Sequence, residues 1–308
     1  DCLAFTCLRQ CERIAMTAVA EEEFAGRYEA ISQIVGDHLN GLAVVRDRTT
    51  DELRVRKTLC TADLPKQTAK ILRREAEFLQ ILDHPCIVRL HEHAEKEERL
   101  VLILEHLAGG DCSSYLQKAG GALSEVCAAS LTRQLLEALS HCHAHGVVHR
   151  DVNPSNVAIS ECQAGQPQQS PVCKLIDFGF AGYCTNGELR DVIGTAAYQA
   201  PELRKSTPSY DGKVDVWSAG AFAFELLIGA PPFGKPSDYG GNEMCIYKRV
   251  KKYAARDNSE AEFEEVPRWQ QLTPDARSFL LWLLSANPQH RPSAAQAAAH
   301  PWLQQDRA

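Results

Sequence analysis

Hydrophobic and polar positions follow one rhythm in the first third of the chain and another in the rest. From Tyr28 to Leu59, short β-forming runs are broken by turn signals at Gly36, Asn40-Gly41 and Thr50-Asp51, which predicts an antiparallel meander. The period then changes. Asp63 and Pro65 suit a helix start, and Ile71, Leu72, Glu75, Leu79 and Leu82 follow at helical spacing until His84-Pro85 ends the run. Two more apolar runs, Ile87 to Leu90 and Leu100 to Leu104, complete a small predicted sheet. After Gly109-Gly110 the pattern predicts helices over 123–144, 214–229, 243–252 and 273–284, each bounded by Gly, Pro or Asp. A β-rich front and a helix-rich back predict an α+β chain in two lobes, with a hinge near 105–110.

Composition narrows the function classes. At 308 residues, 44% hydrophobic and 24% charged, the chain suits one large domain or two lobes rather than disorder. A net charge of -7 gives no global basic field for a nucleic acid backbone. No stretch approaches the ~18 uncharged apolar residues of a membrane span. Twelve cysteines include no C-x-x-C, and Cys60, Cys86 and Cys127 stand in apolar runs, so free thiols in a reducing, cytoplasmic compartment are expected. Residues 1–26, with the acidic run Glu21 to Glu23, read as an N-terminal extension, and 163–171 as a polar loop. His141, His143 and His145 read as a helix end rather than a zinc site, and Lys248, Arg249, Lys251 and Lys252 as a solvated helix face.

The candidate chemistry lies in widely spaced motifs that occur in one order. His149-Arg150-Asp151 stands five residues before Asn156; Asp177-Phe178-Gly179 and Ala200-Pro201-Glu202 follow, with Lys57 and Glu75 upstream. Over about residues 28–304 this set resembles the eukaryotic protein kinases, and Gly194-Thr195, Asp215-Val216-Trp217-Ser218, Pro231-Pro232-Phe233 and Arg291-Pro292 extend the match. The resemblance implies a two-lobed kinase domain over 27–304, with a sheet lobe at 27–106, a helical lobe at 107–304 and a tail at 305–308. Phosphoryl transfer asks mainly for positioning and charge neutralisation. By resemblance Lys57 would hold the ATP phosphates, oriented by Glu75. Glu77 is the rival, but the ninth residue before His84 is Glu75. Asp177 and Asn156 would ligate Mg2+, and Asp151 would receive the proton of the substrate hydroxyl. Val35, Gly36 and Gly41 would belong to the phosphate loop, Ala43 and Val55 to the roof of the adenine pocket, and Ala158 to its floor. Leu104 would be the gatekeeper, Glu105 and Leu107 the hinge, and Asp111 a contact just beyond it.

Departures from the pattern are equally specific. His38 replaces the middle glycine of the loop, Asn153 stands where the family has Lys, Ala158 where it has Leu, and Ser155 where it has Glu. Losing the lysine's charge-assisted hydrogen bond would cost on the order of 1.5–3 kcal/mol. Asp191 occupies the place of an activating phosphothreonine and would pair with Arg150, and Thr185 is the only Ser or Thr from Asp177 up to Gly194-Thr195. Together with Gly194-Thr195-Ala196-Ala197-Tyr198, Asp191 makes the chain resemble the calmodulin-dependent and calcium-dependent serine/threonine kinases. That group implies a protein substrate with basic residues before its acceptor, read here by Asp111 and Glu225, with Thr195 as a marker of serine/threonine choice. No EF-hand loop is present, so calcium sensing would need a regulatory segment outside these residues. The alternative is a pseudokinase scaffold, for which His38, Asn153 and Ala158 argue.

Overall fold

The protein is described from a computed structural model. It covers residues 26–34, 40–60, 66–96, 99–160, 171–184, 189–256 and 260–307. The extension up to residue 25, Val35, Gly36, His38, Asp63, Pro65, loop residues 163–170 and Thr185 lie outside the described residues. Two compact units divide the chain, the first ending at Gln80 and taking in Val88–His106, the second comprising Ile81–Ile87 and the chain from Leu107.

The first unit is a five-stranded antiparallel sheet with one helix. Strands β1 (Tyr28–Ile34), β2 (Asn40–Asp47), β3 (Leu53–Cys60), β4 (Leu90–Lys96) and β5 (Arg99–Glu105) take the order β1-β2-β3-β5-β4, and α1 spans Lys66–Ile81. One face buries Tyr28, Val45, Val101 and Ile103, with Ala43 and Ala94 packed against them. Arg27 closes this edge with an ion pair to buried Asp47 at 2.8 Å, which holds the Asp47 carboxyl down to about 2. Helix α1 alternates as its period demands: Glu75, Ala76, Phe78 and Leu79 are buried, Glu77 and Gln80 exposed.

Two predictions shift here. Asn40-Gly41, expected as a turn, forms the first rungs of β2 against Leu59 and Thr58. The run Ile87 to Leu90 is not a strand: β4 starts only at Leu90, and Ile87 belongs to the second unit, bridging Leu175. A continuous apolar run lacks the alternation that marks a half-buried strand, which His91 to Lys96 supply less conspicuously.

Helices dominate the second unit: α2 (Cys112–Lys118), α3 (Glu125–Ala144), α4 (Lys213–Ile228), α5 (Glu243–Ala255), α6 (Pro274–Leu283) and α7 (Ala294–Ala298). Side chains of Asp111, Ser124, Asn242, Thr273 and Ser293 cap the N-termini of α2, α3, α5, α6 and α7. Every residue of α4 from Val214 to Leu227 is buried, so this helix is the core rather than a surface of it. Trp217 stacks on Phe233, and Phe224, Tyr253, Phe263 and Trp269 extend the aromatic cluster. Arg291 and Glu202, 1% and 2% exposed, form a bidentate pair at 2.8 and 3.1 Å. Short strand pairs β6 (Val147–Val148) with β9 (Gly182–Tyr183), and β7 (Val157–Ile159) with β8 (Cys173–Leu175), frame the motif loops. Cys86, Cys112, Cys127, Cys142, Cys173, Cys184 and Cys245 are free thiols, and burial pushes Cys86 up to about 11 and Cys112 up to about 12. Among the described residues no helix is long and apolar enough to cross a membrane.

Candidate active site

The loop from His149 to Asn156 is hung from one buried carboxylate. Asp215 on α4 accepts the backbone N–H of His149 at 2.9 Å and of Arg150 at 2.8 Å, and His143 Nε2 lies 2.8 Å from its Oδ2. Burial would push the Asp215 carboxyl up, but hydrogen bonding and charge from His143, with His149 and the Arg150 amide, bring it below its ordinary value. The motif around Asp215, 64 residues beyond Asp151, is thereby tied to the loop that carries the chemistry. His149 is itself buried, edge-on to Phe178 at 4.9 Å, with Nε2 3.0 Å from the Ile176 carbonyl.

The Asp151 carboxylate accepts three hydrogen bonds. Its Oδ1 accepts from the Thr195 amide at 2.8 Å and the Thr195 hydroxyl at 2.7 Å. Asn156 Nδ2 donates to Asp151 Oδ2 at 2.8 Å and to its carbonyl at 2.9 Å. Gly194 makes the approach of Thr195 feasible, since its φ is +96° and an added Cβ would lie 2.3 Å from the Arg150 carbonyl oxygen. With its amide nitrogen committed to Asp151, Asn156 keeps its side-chain oxygen for another partner. Asp177, exposed and at φ +59°, accepts the Gly179 amide at 3.3 Å. A carboxylate and an amide oxygen form a hard donor pair of the kind that suits Mg2+, whose remaining ligands are usually phosphates and water. Arg150 and Asp177 both hold non-glycine positive φ, +69° and +59°, a backbone cost that concentrates at functional loops.

Asn153 proves to be built into this loop. It is 6% exposed; its Oδ1 accepts the Ser155 amide at 3.0 Å, and its Nδ2 donates to the Asp151 carbonyl at 3.0 Å and to Thr195 Oγ1 at 3.4 Å. The position therefore bridges Asp151 and Thr195 with a neutral amide. Arg150 donates to the carbonyls of Phe180 at 2.7 Å and Ala181 at 3.3 Å, and meets Asp191 Oδ2 at 3.2 Å. Asp191 is 72% exposed, so the two backbone acceptors hold Arg150 at least as firmly as the carboxylate does.

In the first unit Lys57 Nζ lies 2.8 Å from both Glu75 oxygens, and both side chains are buried. The sheet register corrects one expectation. Val55 and Lys57 share a face with Leu42 and Val44 of β2 and with Leu102 and Leu104 of β5, because Val44 pairs with Val55, Leu42 with Lys57 and Leu104 with Val55. Ala43 pairs with Arg56 and packs into the Tyr28 and Val45 cluster on the opposite face. Ala43 is therefore no companion of Val55 in the roof; Leu42 and Val44 hold that face. Counting from Gly41 missed them by one residue, and counting back from Lys57 along the hairpin would have found them.

The other expected contacts are placed as follows. Leu104 is buried, Gly41 is the second residue of β2, Glu105 accepts the Arg89 amide at 3.3 Å, and Leu107 is half-buried. Ala158 is buried and bridges Asp111 through the backbone. Asp111 is the N-cap of α2, with its two oxygens taking the Ser114 amide at 2.7 Å and hydroxyl at 3.2 Å. Glu225 is buried, takes the Tyr198 hydroxyl on one oxygen and lies 3.1 Å from Lys235 Nζ on the other.

This geometry agrees with what the sequence is similar to. The protein kinase domain model matches residues 40–303. The chain is 37% identical over 234 residues to the CDPK-related kinase 7 of Arabidopsis thaliana, covering 75% of this chain and 37% of the relative. It is 32% identical over 288 residues to the CDPK-related kinase 1 of the same plant, covering 92% and 47%. Against the calcium/calmodulin-dependent protein kinase type II alpha chain of Drosophila melanogaster it is 33% identical over 249 residues, covering 80% and 43%. The chain thus spans less than half the length of these curated relatives. An oriented Asp151, a buried Lys57–Glu75 pair and the family match over most of the sequence lead to one conclusion: the chain belongs to the protein kinase domain family.

Proposed function

We propose that this domain transfers the γ-phosphoryl group of ATP to serine or threonine hydroxyls of proteins, in a basic sequence context and without activation-loop phosphorylation. The observation that carries the reading is the Asp151 carboxylate, held by Thr195 and Asn156 as an acceptor for a hydroxyl proton. Asn156 and Asp177 would hold Mg2+, which neutralises charge on the phosphates, while Lys57, fixed by Glu75, would grip them. Asp191 beside Arg150 supports independence from phosphorylation, because the carboxylate supplies a permanent part of a phosphate's charge. Asp111 and Glu225 are the carboxylates for basic substrate residues. Free, buried thiols suit the cytoplasm, and the greater length of the relatives leaves room for a regulatory segment beyond these residues.

Labelled ATP, magnesium and a basic peptide library supply the test, with phosphatase-treated wild type and Asp177→Asn compared side by side. Transfer by the treated wild type and its loss in the variant are expected. A pseudokinase scaffold is the second reading, favoured by the neutral Asn153; no transfer by wild type, or equal transfer by the variant, would favour it over transfer.

A further inference from the structure

Lys235 belongs to none of the motifs, yet the fold fixes it beside Glu225. Gly234 before it has φ +86°, a conformation that side chains disfavour, and an added Cβ there would lie 2.8 Å from the Tyr239 hydroxyl. Lys235 N–H donates to Asp238 Oδ2 at 2.7 Å, and Asp238 N–H returns to the Lys235 carbonyl at 3.0 Å. Arg249 Nη1 donates to the Tyr239 hydroxyl at 2.8 Å, which pins the far side of the same turn to α5. From this closed base Lys235 Nζ reaches Glu225 Oε1 at 3.1 Å. The other carboxylate oxygen takes the Tyr198 hydroxyl, whose own pKa is raised by burial and by Glu225, so it remains a donor. Glu225 is 5% exposed and Lys235 45%, so the cation reaches a buried carboxylate from the solvent side.

We propose that Lys235 is a built-in occupant of the acidic subsite, neutralising Glu225 in the free domain and competing with the basic side chain of an incoming peptide. The inference rests on the reading that Glu225 receives such a residue. Lys235 is a specificity-determining residue in this scheme and touches no reacting atom. Its ammonium is a point charge on a flexible stem, whereas a guanidinium offers parallel donors to a carboxylate. Substrate arginine therefore displaces Lys235 more readily than substrate lysine does. An ion pair with one exposed partner is a weak competitor, and its removal corresponds to about a two- to fivefold change in affinity.

The test compares kcat/KM for a basic peptide with that for versions in which each arginine before the acceptor is replaced in turn by alanine. At the position read by Glu225, Lys235→Met should raise the arginine-to-alanine ratio about two- to fivefold. The gain should come through KM rather than kcat and shrink as salt rises. Lys235→Glu, exposed enough to fold, should raise the ratio further, and Glu225→Gln should bring it near one. If Glu225→Gln abolishes the ratio while both Lys235 variants match wild type, the competition is refuted and the Glu225 reading stands. If Glu225→Gln leaves the ratio unchanged at every position, the Glu225 reading fails and the competition falls with it.

Discussion

Asn153 is tied into its loop by hydrogen bonds to Ser155, Asp151 and Thr195, and it is neutral where the family has a lysine. The lysine usual at this place would bring a positive charge to the transferring phosphoryl group, and an amide brings none. Yet Asn153 Oδ1 accepts the Ser155 amide, an acceptor role that an ammonium cannot take over. Asn153→Lys should therefore raise kcat by about tenfold or more, the worth of a charge-assisted hydrogen bond. The same change should cost about 0.5–2 kcal/mol of stability through the lost cap. Steady-state rates and melting temperature measured on one preparation separate the two effects; a lower melting temperature with unchanged kcat would show that the phosphoryl group does not call on this position. The substitution was legible in the sequence, but its bond to Thr195 was not, because that partner lies 42 positions away.

Elements were legible where periodicity is strong and opaque where one residue of register decides. Helices α3 to α6 lie close to their expected limits because caps and apolar spacing agree. Ala43 was misplaced because the strands alternate with a period of two, so an origin taken one residue late puts the wrong side chain on the face. Pairings between distant elements were invisible altogether: Glu202 and Arg291 each marked a motif, but not that they bind each other across 89 positions. Their energetics follow from burial. Arg291 also donates to the carbonyls of Ser285 at 3.0 Å and Lys213 at 2.6 Å and lies over the Trp217 ring at 5.2 Å, so it cannot leave when its partner is lost. Glu202→Gln strands a buried guanidinium charge and should cost about 3–5 kcal/mol, read as a lower denaturation midpoint in urea. Pairing Glu202→Leu with Arg291→Met should recover much of that loss, since an apolar pair carries no desolvation debt. A double variant as unstable as Glu202→Gln would mean that packing, not charge, sets the cost.

At the scale of the whole molecule, stability should be coupled to pH through half-buried imidazoles. Among the described residues, His84, His91, His141 and His300 all have pKa values lowered, in each case first by burial. Three of them belong to the second unit and His91 to the first. His141 lies between the rings of His84 at 5.1 Å and His145 at 4.4 Å, tilted to both, and among the described residues its buried Nε2 has no hydrogen-bond partner. Both neighbours lower it further, Asp83 opposes them, and Glu137 and Lys174 act on His84 with opposite signs. A histidine with a lowered folded pKa binds its proton more readily in the unfolded chain. Its stabilisation is therefore complete above the ordinary value of 6.5 and is lost as pH falls from there toward the folded value. Asp47 and Asp215, lowered from 3.8, add a second loss only at more acid pH. The melting temperature should accordingly fall between about pH 7.5 and about pH 5.5, mostly in the transition of the second unit. His141→Phe removes the orphaned nitrogen and one titrating ring while keeping an aromatic surface between His84 and His145. Calorimetry across that interval should show a shallower fall for the variant, with a melting temperature near pH 7.5 no lower than that of wild type. An unchanged slope would assign the acid sensitivity to other groups and leave the His84, His141 and His145 cluster as packing alone.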